Sequence, residues 1–198
     1  TLKSRLFESE HPLFSGEYRQ AFKQSNLIMD FGFTEGYKNT SSTKTSGNKS
    51  HFFSQFVKKF KGKKGSDNEF KLSLQKVSNK KYLKLYRIKN NLVNYENDIL
   101  ENSLDFSHEN EDLFLGLKAS AFEDLTENNT SDEYEYILPD IILGKNLFSS
   151  DKYGYADLQS NLIFHNFETN KFTKFFINDI DWSYKQFNYS SGLTGRLL

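Results

Sequence analysis

Apolar and polar side chains alternate with a period of two along much of this chain. The pattern is clearest in three segments, 70–77, 113–121 and 172–184. Their apolar stripes are Phe70, Leu72 and Leu74; Leu113, Leu115, Leu117, Ala119 and Ala121; and Phe172, Phe176, Ile180, Trp182 and Tyr184. Successive side chains of a β-strand point to opposite faces. The alternation therefore predicts strands with one face against an apolar medium and the other against water.

Together with the turn residues, this alternation predicts an all-β fold: a segment of an antiparallel transmembrane β-barrel, built from consecutive hairpins with about 10 or 11 strands. The predicted strands are 2–8, 13–23, 27–37, 50–60, 69–77, 98–107, 112–122, 133–144, 153–166, 172–185 and 189–197. Segment 50–60 is ambiguous, because its apolar residues also recur at helical spacing. We favour a strand there because the neighbouring segments are strands and Gly62 follows.

The predicted connections differ in length. Tight turns lie near Gln24, Ser25 and Asn110, and long connections occupy 38–49, 78–97 and 123–132. The link at 61–68 is intermediate, and the one near Asn170 is short where a long one is expected. Short turns at one end and longer loops at the other are typical of outer-membrane β-barrels, whose strands need roughly 9–11 residues to span.

Aromatic rings carry an unusual share of the apolar content. They make up 16% of the residues, whereas all hydrophobic residues reach only 36%. At strand ends, such rings suit a membrane–water boundary. Rings at such a boundary form an aromatic girdle around a barrel. The candidates for it are Tyr18, Phe22, Phe31, Phe33, Tyr37, Tyr153, Tyr155, Trp182 and Tyr184. The alternative is a soluble β-sandwich, in which the same rings pack between two sheets.

Composition excludes several classes of protein. The sequence has no run of roughly 18 apolar residues, which excludes a transmembrane helix. The 26 basic residues balance the 26 acidic ones, so the protein has no net positive charge that would favour binding of nucleic acid. There is no cysteine, hence no disulfide or thiolate metal site within these residues.

Residues that could carry chemistry form no recognisable constellation. The histidines are His11, His51, His108 and His165, with no pair at i, i+4 spacing, and we interpret them as solvated or lumen-facing. The pairs Glu133/Glu135 and Asp179/Asp181 are interpreted as water-facing strand acids. The basic run 58–64 lacks Walker-type spacing and is interpreted as a solvated turn. We therefore predict no enzyme activity, no cofactor, and no catalytic, cofactor-binding or metal residue, and we assign no substrate-binding residue.

Four short motifs follow one another along the chain. Gly16–Phe22 reads G-E-Y-R-Q-A-F, Ser78–Tyr86 reads S-N-K-K-Y-L-K-L-Y, Tyr134–Pro139 reads Y-E-Y-I-L-P, and Asp181 precedes Trp182. In this order they resemble the barrel of the LPS-assembly protein LptD (Imp/OstA) family, in its alphaproteobacterial form. The second motif departs from the family's S-D-x-x-Y-L-x-x-Y at one position, because Asn79 replaces the usual Asp.

The resemblance implies a role in delivering lipopolysaccharide to the outer leaflet of a Gram-negative outer membrane. Residues 1–198 are then expected to be part of a single barrel domain, a fragment that excludes the periplasmic jelly-roll domain and the closing strands. The implied partners are lipopolysaccharide, outer-membrane lipid, an LptE-type lipoprotein in the lumen, and the periplasmic Lpt bridge reached through the jelly roll. Nucleic acid is not among them. The alternatives are another outer-membrane barrel, such as a porin or autotransporter, and a soluble β-sandwich that binds lipid or carbohydrate.

Overall fold

The computed structural model describes residues 1–36, 46–126, 134–150, 152–167, 171–184, 187–188 and 194–195. The main strands are β1 (Leu2–Arg5), β2 (Leu13–Ala21), β3 (Ser25–Gly36), β4 (Ser46–Lys61), β5 (Asp67–Val77), β6 (Ile99–Glu109), β7 (Leu113–Asp124), β8 (Tyr134–Ser150), β9 (Gly154–Phe167) and β10 (Lys171–Ser183). Two short strands follow, β11 (Phe187–Asn188) and β12 (Thr194–Gly195). A 3-10 turn covers Lys63–Gly65, and the α-helix α1 covers Tyr82–Tyr86.

Strands β1 to β10 form one antiparallel sheet in which each strand pairs with its neighbours in the chain. This is the connectivity of consecutive hairpins, as the alternation predicts. The sheet is open, because β1 and β10 lie at its two edges. The all-β, antiparallel part of the predicted fold is therefore confirmed. The sheet formed by the described residues is not closed into a barrel.

Segment 50–60 lies within β4, so its interpretation as a strand is correct. β4 pairs with β3 on one side and β5 on the other, with Phe56 facing Leu27 and Leu72. Of the predicted strand at 189–197, only Thr194 and Gly195 lie within the described residues. They form β12, which pairs antiparallel with β11, and Phe187 lies opposite Gly195.

The connections divide between the two ends of the sheet. At one end the strands join through short links at 22–24, 62–66, 110–112 and 151–153. At the other end the connections are 6–12, 37–45, 78–98, 125–133 and 168–170, and all but the last are longer. The predicted alternation of short and long connections is therefore confirmed. The intermediate link at 61–68 belongs to the short end.

The buried core lies beneath the connection between β5 and β6, against the side of the sheet that carries Leu13, Phe53 and Val77. Helix α1 lies in this β5–β6 connection, residues 78–98, which the sequence interpretation treats only as a long connection. The buried members of the core are Leu13, Phe53, Val77, Tyr82, Leu83, Tyr86, Ile88, Val93, Leu100 and Leu125. In the described part of the chain, the core thus forms between a connection and a sheet, and no second large sheet packs across it.

Candidate functional site

The strand register gives the sheet two chemically different faces. Residues directly opposite each other on paired strands lie on the same face. One row across β3 to β7 consists of Leu27, Phe56, Leu72, Leu104 and Ala119. We call the side that carries this row the apolar face, and the opposite side, which carries Asp30, His51, Lys71 and Asp105, the polar face.

The apolar face is exposed along the whole sheet. Phe14 on β2 is 57% exposed, Leu104 on β6 is 45% exposed, and Phe176 on β10 is 67% exposed. The predicted stripes of β5, β7 and β10 all lie on this face, since Leu72, Leu117 and Phe176 align through the ladder. A soluble domain rarely leaves so large a contiguous apolar surface uncovered.

Polar groups border the apolar face near both strand ends. On β5 the apolar residues from Phe70 to Leu74 lie between Asn68 and Lys76. Near the short-link end, the Asn68 side chain hydrogen-bonds His108 Nδ1 at 2.8 Å. Near the long-connection end, Lys76 Nζ contacts the Glu123 carboxylate at 3.0 Å and the Tyr134 hydroxyl at 2.6 Å. The apolar surface is therefore a band with polar margins.

A row of alternating charges crosses the polar face. Directly opposed residues on β5, β6, β7 and β8 are Lys71, Asp105, Lys118 and Asp140. Lys118 Nζ also contacts Glu101 Oε1 at 2.7 Å. Opposite charges facing each other across strands stabilise a sheet, whereas such a row on a face buried against apolar groups would be costly. The charges on this half of the polar face suit contact with water or with a polar ligand.

The other half of the polar face is covered by the β5–β6 connection. The Ser78 hydroxyl accepts from the Ser50 N–H at 2.8 Å, and the Ser78 N–H donates to the Ser50 carbonyl at 2.9 Å. Arg5 Nη1 donates to the Tyr86 carbonyl at 2.7 Å. These contacts fasten both ends of α1 to strands of the sheet.

A buried polar network joins α1 to the strands beneath it. His51 Nε2 lies 2.6 Å from Asp30 Oδ1, and His51 Nδ1 lies 3.0 Å from the Tyr82 hydroxyl. An Nε2–H tautomer satisfies both contacts, because the ring then donates to the carboxylate and accepts from the phenol. The His51 ring also stacks on Phe53, with ring centroids 4.7 Å apart.

The four histidines are interpreted from the sequence as solvated or lumen-facing, and for His51 this network rules out the solvated alternative. His51 is only 4% exposed, although it does lie on the polar face. His165 contacts Glu135 on that face, and His11 lies 3.7 Å from Glu35 at the long-connection end. His108 borders the apolar band. Among the described residues no group of three or more His, Cys, Asp or Glu side chains is placed to hold a metal ion.

The remaining candidate residues lie where the sequence interpretation expects water. Asp179 and Asp181 share the polar face of β10 and are exposed. The basic run ends β4 and enters the short link, where Lys59 pairs with Glu69 at 3.0 Å and Lys61 with Asp67 at 2.5 Å. Glu133 lies outside the described residues, as does Tyr37 of the aromatic set.

The aromatic set is only partly distributed as a girdle. Trp182 lies on the apolar face near the short-link end, and its Nε1–H donates to the Tyr153 carbonyl at 3.0 Å. Phe33 lies towards the other end, opposite Phe14. Tyr155 pairs with Ser183 and lies on the polar side. That position differs from the expectation, since the predicted girdle requires its rings on the apolar face.

The structure adds a site that the sequence interpretation missed. A cavity of about 270 Å³ lies between the polar face of β1–β3 and residues 88–91 of the β5–β6 connection. Asp30 and His51 contribute to its wall. The helical spacing of Tyr82, Leu83 and Tyr86 is the signal in the sequence that could have indicated a packed connection there.

No protein-family model, curated protein or solved structure matches this chain. In the described residues no helix is long and apolar enough to cross a membrane.

Proposed function

We propose that this chain forms part of the wall of an outer-membrane β-barrel that delivers lipopolysaccharide to the outer leaflet. The observation that carries the proposal is the continuous exposed apolar face of a sheet whose strands follow one another in chain order. A bilayer provides the apolar medium that this face lacks, and a membrane strand satisfies its backbone groups only through neighbouring strands.

The dimensions of the apolar band support a membrane. Asn68 and Lys76 bound it on β5, and eight residue steps at about 3.4 Å each separate them by roughly 27 Å along the strand. At a tilt of about 40° this becomes roughly 20 Å along a barrel axis, close to the ~25 Å apolar band of outer-membrane barrels. The position of polar margins near both ends fits the same interpretation.

The polar face supports a hydrated path for a charged sugar head group. An amphiphile with acyl tails needs lipid contact on one side of such a wall and water on the other. The charge row from Lys71 to Asp140 offers both signs of charge to a lumen. The proposed conduit needs no covalent chemistry from these residues.

The motif resemblance favours LPS transport over other barrels. One of its stretches, Ser78–Tyr86, contains the residues that anchor and bury α1 over the polar face. Asn79, which replaces the family's Asp, accepts from the Lys81 N–H at 2.9 Å and thereby shapes the turn that enters α1. A carboxylate oxygen accepts the same bond, so the replacement preserves this structural role.

Depletion of the protein in its native Gram-negative cell tests the transport role. With newly made lipopolysaccharide pulse-labelled, we expect depletion to reduce the fraction that reaches the outer leaflet, while its synthesis continues. The protein itself should fractionate with the outer membrane and co-purify with a lipoprotein and the periplasmic bridge. Normal surface delivery in depleted cells, with the protein in the outer membrane, would favour a porin or autotransporter. A monodisperse, water-soluble protein would instead favour the β-sandwich.

A further inference from the structure

The cavity beneath residues 88–91 has a composition unlike the rest of the polar face. Its floor is formed by β1–β3, including Ser15, Glu17 and Asp30, and its roof by Ile88 to Asn91. Arg19 holds this roof in place. Its Nη1 donates to the Asn91 side-chain oxygen at 3.2 Å, in the amide orientation that satisfies the surrounding donors and acceptors. The cavity is thus a formed space between two fastened elements.

Both carboxylates in the cavity wall already have cationic or hydrogen-bonding partners. Glu17 receives two hydrogen bonds from Arg19, at 2.7 and 3.0 Å. Asp30 is occupied by His51 at 2.6 Å. Glu17 is therefore paired with Arg19, with a smaller electrostatic contribution from Lys3, and Asp30 is held by the His51 hydrogen bond.

Three basic side chains in the same wall have no such carboxylate partner. Lys3 and Lys89 line the cavity and form no ion pair among the described residues. Arg5 uses Nη1 for the Tyr86 carbonyl, an uncharged acceptor. The excess positive charge at the cavity is suited to an anion, and the guanidinium retains donors for a phosphate oxygen.

Hydrogen-bonding groups surround these cations. Asn90 shapes the roof, because its side-chain oxygen accepts from the Leu92 and Val93 N–H groups at 2.7 and 2.9 Å. Ser15 and the Glu17 and Asp30 carboxylates add hydroxyl and acceptor groups. Carboxylate and hydroxyl groups of this kind hydrogen-bond the hydroxyls of a sugar.

We propose that this cavity binds a phosphorylated sugar, with Lys3, Arg5 and Lys89 holding the phosphate and the Ser15, Glu17 and Asp30 side chains facing the hydroxyls. This inference deepens the proposed function, on which its biological ligand rests, by assigning a head-group site to the polar face. The phosphate group is shared by lipid head groups and free phosphate, so the test must separate the two sources.

Calorimetric titration of the purified protein in detergent micelles provides that test, with glucose 1-phosphate, inorganic phosphate and glucose as probes. We expect glucose 1-phosphate to bind at least about 10-fold more tightly than either of the others, because only it offers both the charge and the hydroxyls. The double variant Lys3→Gln/Lys89→Gln should weaken that binding by about 10-fold. Lys23→Gln/Lys63→Gln removes the same charge from exposed positions at the short-link end and should leave the affinity unchanged.

Three results would overturn the site. Equal affinity for inorganic phosphate and glucose 1-phosphate would show that the sugar is not recognised, and equal affinity for glucose would show that the phosphate is not. An equal loss in both double variants would show a general charge effect. Sugar-phosphate binding that depends on Lys3 and Lys89, in a protein that does not enter membranes, would leave this site standing while the proposed function fails.

Discussion

Gly32 lies on the polar face of β3, directly beneath the buried histidine network. A Cβ at this position would come within 2.5 Å of His51 Cε1 and 3.0 Å of the Tyr82 hydroxyl. The imidazole has little freedom to move away, because Asp30 and Tyr82 hold both of its nitrogens. The absence of a side chain at Gly32 is therefore what lets His51 reach both partners.

We expect Gly32→Ala to destabilise the protein by roughly 1–3 kcal/mol, because it inserts a methyl group into a packed site. Urea unfolding in detergent micelles measures this change. Gly144→Ala is the matched control on the same face, since its added Cβ would lie 3.7 Å from the nearest side-chain atom, at ordinary contact distance. An equal loss of stability in both variants would contradict the crowding proposed at Gly32.

Tyr82 gives the network a pH dependence. Burial away from water raises the pKa of the Tyr82 phenol, and the negative charge of Asp30 acts in the same direction. The folded protein therefore keeps this proton at pH values where an unfolded tyrosine, with its ordinary pKa of about 10, loses it. The contribution of the protonated Tyr82 phenol to the free energy of unfolding is fully present below pH ~10, and it declines as the pH rises above that value.

Comparison of the protein with Tyr82→Phe isolates this effect. Above pH ~10 the difference in unfolding free energy between them should shift against the tyrosine form by up to about 1.4 kcal/mol per pH unit. Unfolding at pH 8 and pH 11 measures it, and Tyr153→Phe, at an exposed tyrosine, controls for removing one hydroxyl. A difference that stays constant between the two pH values would contradict a buried, proton-retaining Tyr82.

Among the elements, the strands are the most predictable part of this fold, and α1 is the least. Strand positions follow from local alternation, as in the confirmed stripe of Leu113 to Ala121. Helix α1 has only five residues, and local interactions alone do not stabilise so short a helix. Its stability comes from Tyr82, Leu83 and Tyr86 packing on distant strands, which a sequence pattern does not show.

Truncation of α1 tests this dependence on packing. Leu83 is fully buried, so we expect Leu83→Ala to lower the free energy of unfolding by about 2–5 kcal/mol. Leu85→Ala, in the same helix at a side chain that is 42% exposed, should cost much less. Trypsin cleavage after Lys80, Lys81 and Lys84 provides a second measurement, and it should accelerate only in the Leu83 variant. Similar losses in both variants would mean that α1 is not anchored by its buried side.

At the scale of the whole molecule, the position of the core differs from that in a soluble sandwich, which buries the apolar faces of its sheets against each other. The strand residues Leu13, Phe53 and Val77 of the packed cluster lie on the polar face, whereas the face with the most apolar side chains is exposed. Period-two alternation predicts the two faces, since side-chain direction follows from the backbone alone. It does not predict the cavity or the His51 network, because both depend on the β5–β6 connection folding back over β1–β4.

Contact between the apolar face and lipid is the central claim, and site-directed nitroxide labels test it directly. The chain has no cysteine, so labels can be placed at single introduced sites in the reconstituted protein. On β5, Leu74→Cys lies on the apolar face and Ser73→Cys on the polar face; on β6, Leu104→Cys and Ser107→Cys form a second pair. We expect the labels at Leu74 and Leu104 to collide with oxygen dissolved in the bilayer and not with a water-soluble nickel chelate. The labels at Ser73 and Ser107 should show the reverse preference. Equal access of the nickel chelate to both members of each pair, or exclusion of both reagents from Leu74 and Leu104, would contradict a membrane wall.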